Sequence, residues 1–157
     1  MKPSREQLTG SRNYFEDFNV GDVYEHARGK TVGEIDNVLI TNLVMNTAQG
    51  HFNEDQMSRT PLKHRITFGG VTAALVIGLA MQDTGENAIR ELKLDKIRFK
   101  VSVFHGDTLY AFTEVLEKRD SDEPGAGIVR FRHLGLNQNK QVVFEGEREV
   151  LVRRRGK

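Results

Sequence analysis

The pattern of hydrophobic and polar positions changes character several times along the chain. Residues 1–13 are polar and aperiodic, which predicts a flexible N-terminal arm. Order is expected from Tyr14, because Tyr14, Phe15 and Phe18 place three aromatics within five residues. A turn at Val20-Gly21-Asp22 leads into a first strand over residues 23–30. Thr31-x-x-Glu34 has capping-box spacing, and Ile35, Val38, Leu39, Leu43 and Val44 then recur at a helical period up to about Asn46. Residues 49–67 are polar and predict a long loop with a short helix at 54–59. Gly69-Gly70 opens residues 71–82, an apolar run with no charge, and a helix apolar on every face is expected to be buried on every face. From Lys93 onward the period falls to two. Ile97, Phe99, Val101 and Val103 mark one strand, Leu109, Ala111 (or Phe112) and Val115 a second, Ile128 to Leu134 a third, and Val142 to Val152 a fourth.

This order of strand, helix, long loop, buried helix and four antiparallel strands predicts an α+β fold. One antiparallel five-stranded sheet wrapped around a long apolar central helix is the hot-dog fold. It is expected to occupy residues 14–154 as a single domain, with a basic C-terminal tail at 155–157 that reads as solvated. Such a wrap covers its helix over only part of the circumference, so pairing with a second copy is expected. A short echo relates Phe18-Asn19-Val20-Gly21-Asp22-Val23-Tyr24 to Val103-Phe104-His105-Gly106-Asp107-Thr108-Leu109-Tyr110; it reads as two Gly-Asp turns that feed strands, not as a duplication.

Composition narrows the chemistry. A chain of 157 residues at 38% hydrophobic is the size of one domain with a compact core. Its 23 Lys and Arg nearly cancel 22 Asp and Glu, so no global field draws in nucleic acid or an anionic membrane, and an anionic ligand must be held locally. The absence of cysteine excludes disulfides, thiolate nucleophiles and Cys-ligated metal sites. No metal-ligand spacing, P-loop, GxGxxG or GxSxG occurs. The N-terminus lacks the apolar stretch of a secretory signal and no run reaches membrane-span length, so a cytoplasmic protein is the expectation.

Two segments carry candidate chemistry. Asn46-Thr47-Ala48-Gln49-Gly50-His51-Phe52-Asn53-Glu54-Asp55 is a dense polar cluster directly after an apolar helix. His51 is the group suited to take and return a proton near neutral pH, whereas Asn46 and Gln49 can orient water or a carbonyl but cannot exchange protons. The second segment is Thr67-Phe68-Gly69-Gly70, where a helix start leaves backbone N–H groups unpaired and two glycines let a ligand approach them. A developing oxyanion needs such a place. Lys63, His64 and Arg65 form a basic knot that could meet a phosphate, and Arg98 alternates with Ile97 and Phe99 on the opposite face of its strand.

Together, Asn46 to Asp55, Phe68-Gly69-Gly70 with the helix after it, Ile97-Arg98-Phe99 and Phe104-His105-Gly106-Asp107-Thr108 resemble the MaoC-like dehydratases, hot-dog proteins that include (R)-specific enoyl-CoA hydratases. His51-Phe52-Asn53 with Gln82-Asp83-Thr84 and Glu86-Asn87-Ala88 is most similar to the branch of mesaconyl-CoA hydratases, also called β-methylmalyl-CoA dehydratases. The resemblance covers residues 15–153. It implies an Asp and a His five residues later that flank one water, and a helix-start amide that polarises a thioester carbonyl. The His falls on His51 and the amide on Gly69, with Gln49, Asn53, Phe68 and Gly70 as substrate-contacting neighbours. Lys63, Arg65 and Arg98 are the first candidates for the CoA phosphates. The Asp position, however, holds Asn46, and Phe68 stands where these hydratases often carry His.

Three readings of the Asn46 departure stay open. His51 transfers both protons through the shared water; Glu54 or Asp55 substitutes for the missing acid; or the chain binds acyl-CoA without turning it over. The resemblance implies reversible hydration of a short, branched or dicarboxylic enoyl-CoA, with no cofactor beyond the CoA thioester substrate, in a homodimer or higher assembly. The alternatives are an acyl-CoA thioesterase, disfavoured because residues 71–81 hold no acid, and a non-catalytic acyl-CoA-binding subunit.

Overall fold

Residues 13–156 are described by a computed structural model, so the expected arm lies outside the described residues except for Asn13. Strand β1 (Val23–Thr31) is followed by helices α1 (Glu34–Leu43), α2 (Gln49–Phe52), α3 (Glu54–Ser58) and α4 (Gly69–Thr84). Strands β2 (Ala88–Phe99), β3 (Thr108–Asp120), β4 (Ala126–Leu136) and β5 (Val142–Arg153) complete the chain. The five strands form one antiparallel sheet in the order β1-β3-β4-β5-β2, and α4 packs against β1, β3, β4 and β5. This is the predicted hot-dog architecture. No helix among the described residues is long and apolar enough to cross a membrane.

The period of two sets which side chains meet α4. Along β3, Leu109, Ala111, Thr113 and Val115 are buried, so Ala111 and not Phe112 faces inward. The core then divides in two. Val32, Val76, Val103, Leu109, Ala111, Val143 and Phe144 form one apolar cluster, and Phe15, Phe18, Val115, Val129, Phe131, Val150 and Val152 form the other. Between them the same strands place polar residues: His26 on β1, Thr113 on β3, His133 on β4 and Arg148 on β5, all buried.

Several expectations need correction. Thr31 does not cap α1; it ends β1, where its hydroxyl meets that of Thr108 at 2.8 Å. Gly33 is the cap, and Asp36 rather than Glu34 reaches back, its Oδ2 accepting from the Gly33 N–H at 2.8 Å. The strand expected from Ile97 to Val103 instead runs over Ala88–Phe99. The apolar stripe of α1 faces solvent. Ile35, Leu39 and Leu43 are exposed while Asn37 and Thr41 are fully buried, because the inward face meets backbone groups that need hydrogen-bond partners. Nor is α4 buried on every face. Val71, Thr72, Val76, Ala80 and Thr84 are buried, but Ala74 and Gly78 are exposed, since the sheet wraps only one side. Grooves of about 360 Å³ beside β1 and about 400 Å³ beside β2 flank the helix.

The termini are also more engaged than the polar sequence suggests. Buried Asn13 donates its amide to the Gln82 carbonyl. In the tail, Arg154 pairs with Asp120 and Glu16 and covers the Phe15 ring, and Arg155 pairs with Asp17 at 2.5 Å. The two Gly-Asp segments are the same local turn. Gly21 and Gly106 both have positive φ, and the Asp22 and Asp107 carboxylates accept the N–H of the residue three before them.

Candidate active site

The predicted long loop folds as two short helices that bring His51 beside the start of α4. His51 sits in α2, a helix missed in the sequence because four residues show no period. Two strand-like contacts join this segment to the approach to α4: the Ile66 N–H donates to the Gly50 carbonyl at 3.1 Å, and His51 Nδ1 lies 2.9 Å from the Ile66 carbonyl. A carbonyl only accepts, so Nδ1 carries the hydrogen and Nε2 is left with its lone pair. No group among the described residues pairs with Nε2. The imidazole lies 5.6 Å from the Phe68 ring, centroid to centroid.

At the helix start the first N–H groups divide. The Phe68 N–H donates to Asn37 Oδ1 at 2.9 Å, and the Val71 and Thr72 N–H groups turn back to the Phe68 carbonyl. Those of Gly69 and Gly70 have no acceptor among the described residues. Phenyl rings press on both glycines. A Cβ on Gly69 would lie 3.0 Å from the Phe99 ring, and one on Gly70 would lie 2.4 Å from that of Phe68. The bare backbone is thus required by the neighbours as well as available to a ligand.

The other candidate residues separate by what already holds them. Asn46 follows α1, and its Oδ1 accepts the Ala48 N–H at 3.1 Å, which leaves its Nδ2 as the unpartnered end of the amide. Asn53 caps α3 by accepting the Gln56 N–H and also donates to Gln49 Oε1, so these two amides brace one another. Glu54 receives His64, the Arg65 backbone N–H and the Arg65 side chain, and these bonds lower its pKa to about 2. Asp55 is exposed and paired with Arg59. Glu54 is therefore fixed as an anion, which argues against its standing in for the missing acid. Arg65 lies between Glu34 and Glu54, so the expected basic knot is largely offset by carboxylates. Lys63 and Arg98 are exposed, with only the Ser58 carbonyl meeting Lys63 and no side-chain partner for Arg98 among the described residues. No group of three or more His, Asp or Glu among the described residues is placed to hold a metal ion.

The family model for mesaconyl-CoA hydratase matches residues 4–154. The chain belongs to the mesaconyl-CoA hydratase family. It is 34% identical over 155 residues to a mesaconyl-CoA hydratase of Haloarcula marismortui, an alignment that covers 90% of this chain and 42% of that protein. A β-methylmalyl-CoA dehydratase of Chloroflexus aurantiacus is 32% identical over 152 residues, with 94% and 42% covered. A putative MaoC domain dehydratase from the same organism superposes with a TM-score of 0.89 at 30% identity, over 94% of this chain and 42% of that one. The chain thus spans less than half the length of these family members. Within the family frame, the residues that sequence reasoning missed are Asn37, discussed below, and the buried partners of His26 and His133. The signal for Asn37 was its i, i+4 spacing with Thr41, which puts two polar side chains on one face of the helix.

Proposed function

We propose that this hot-dog unit adds water reversibly across the α,β double bond of a short, branched or dicarboxylic enoyl-CoA, with mesaconyl-CoA the first compound to test. One observation carries the reading: a histidine with Nδ1 committed and Nε2 unpartnered stands beside a helix start whose Gly69 and Gly70 N–H groups are unpartnered. In the forward direction His51 Nε2 takes a proton from water while the water oxygen bonds to the β-carbon. The displaced electron pair moves to the thioester oxygen, where the Gly69 and Gly70 N–H groups offset the charge. The imidazolium then returns its proton to the α-carbon. Atoms and electrons balance with water and the thioester alone, so the step draws on no cofactor.

In this scheme Asn46 orients the water through Nδ2 and transfers no proton. Asn46→Asp is expected to preserve or raise turnover, measured as kcat on the same substrate, because it adds a proton acceptor at that position. A complete loss would give the amide a role of its own. Lys63 and Arg98 are the exposed cations left for the CoA phosphates, since Arg65 is committed to Glu34 and Glu54. A cytoplasmic setting goes with this reading.

A homodimer also goes with it. Edge strand β2 exposes Leu92, Leu94, Ile97 and Phe99, α4 leaves apolar grooves open on both sides, and the relatives are more than twice as long as this chain. Ile97→Lys with Leu94→Lys is expected to convert a species of twice the 17.8 kDa chain mass into a monomer, read by light scattering; an unchanged mass would remove β2 from the interface.

The function itself is tested by incubation with crotonyl-CoA and mesaconyl-CoA while enoyl absorbance and free thiol are followed together. Loss of absorbance without thiol is the expected result. Thiol release would favour a thioesterase, and no change in either would favour a binding subunit.

A further inference from the structure

We propose that Asn37 is a positioning residue that ties the catalytic histidine to the oxyanion-binding helix start; the inference rests on the hydratase reading above. Asn37 sits on α1, fully buried, and carries no charge of its own. Its one amide spans the two halves of the site. Oδ1 accepts the Phe68 N–H at 2.9 Å, one residue before Gly69, and Nδ2 donates to the His51 carbonyl at 3.3 Å. The Thr41 hydroxyl, also buried, donates to the Asn37 carbonyl at 2.7 Å and holds this turn of α1 in place. One buried side chain thus bonds both to His51 and to the residue that leads into α4, beside the two Ile66 contacts that join the same segments.

Asparagine is the residue type this demands. The bridge needs an acceptor for an N–H and a donor for a C=O from one short planar group, which Asp and Leu cannot supply together. A site that adds water needs the base and the oxyanion donors in fixed register, and a small misplacement costs rate more than binding. Asn37 therefore acts on kcat through His51 and Gly69, and leaves the CoA contacts alone.

The test uses two variants of the full chain. Asn37→Asp keeps the acceptor for the Phe68 N–H and loses the donor; Asn37→Leu, of similar volume, loses both. Relative to the native protein, kcat is expected to fall about tenfold for Asn37→Asp and about a hundredfold for Asn37→Leu, with KM within about twofold. A second readout needs no turnover. The imidazole nitrogens of His51, observed by nitrogen-15 NMR, are expected to show one tautomer with the hydrogen on Nδ1 in the native protein and to move toward averaged signals in both variants. If Asn37→Leu does not fold, Asn37→Asp carries both measurements. Unchanged kcat together with unchanged imidazole signals in a folded variant would overturn the assignment, as would a rise in KM with kcat preserved. Should the native protein hydrate neither enoyl-CoA, the hydratase reading fails by that result, and the imidazole signals alone decide whether Asn37 positions His51.

Discussion

His51→Ala is expected to lower enoyl-CoA hydration by about a thousandfold or more, because the proposed reaction assigns both proton transfers to one imidazole. Asn46 cannot share the work, and Glu54, held near pKa 2 by His64 and Arg65, has no proton to give at neutral pH. The Ala variant alone would leave an ambiguity, since it also deletes the hydrogen bond to the Ile66 carbonyl that joins α2 to the approach to α4. His51→Asn separates the two effects. Its amide N–H falls where Nδ1 does and can still donate to Ile66, yet it transfers no proton. Both variants are therefore expected to lose turnover alike, while only Ala loses stability, by about 1 kcal/mol in urea denaturation. Turnover near the native rate in His51→Asn would sink the site assignment.

What was legible in the sequence followed from patterns with a single physical cause. Strands β3 and β4 could be placed because an inward and an outward face alternate along them, and α4 because Gly69-Gly70 opens an uncharged apolar run, whereas the alternation from Ile97 to Val103 misplaced β2, which runs over Ala88–Phe99. His51 and the glycines could be picked out as candidates because their chemistry is local, and the structure sets them close together. Elements whose sense depends on a distant partner were not legible. The periodicity of α1 is real, but whether its apolar stripe faces in or out is decided by the backbone groups of His51 and Phe68 beneath it, and these select Asn37 and Thr41. Composition likewise showed Arg65 and His64 as a basic knot, whereas Glu34, on the other side of the loop, and Glu54 pair with them. His26 and His133 lie far apart in sequence and acquire meaning only when β1, β3, β4 and β5 align them across the sheet.

That alignment leads to the second large effect, an acid lability seated in the core. Arg148 has only donors, so His133 Nε2, 3.4 Å from its guanidinium, accepts. His133 Nδ1 then donates to the Thr113 hydroxyl at 2.8 Å, Thr113 donates on to His26 Nε2 at 2.7 Å, and His26 Nδ1 donates to Asp83 at 2.6 Å. In this order of donors a second hydrogen on His133 Nε2 would face Arg148. Burial first, and then the Arg148 charge, push the His133 pKa down to about 3. In the unfolded chain it titrates near about 6.5, so below that pH the unfolded state binds a proton that the folded state refuses. The stability contributed by neutral His133 is thus present above pH 6.5 and is lost as the pH falls toward 3. The loss amounts to about 2 kcal/mol by pH 5. The lowered carboxylates Glu54 and Asp36 contribute in a separate window, below about pH 4.5, where their unfolded forms begin to protonate. His105, lowered by burial and then by Arg65, adds in the same direction as His133, so some slope survives without it. His133→Gln can accept from Arg148 and donate to Thr113 yet does not titrate. Urea midpoints measured from pH 7 to pH 5 are therefore expected to fall steeply for the native protein and much less for His133→Gln. Parallel slopes would mean that the proton enters the fold at a group other than His133.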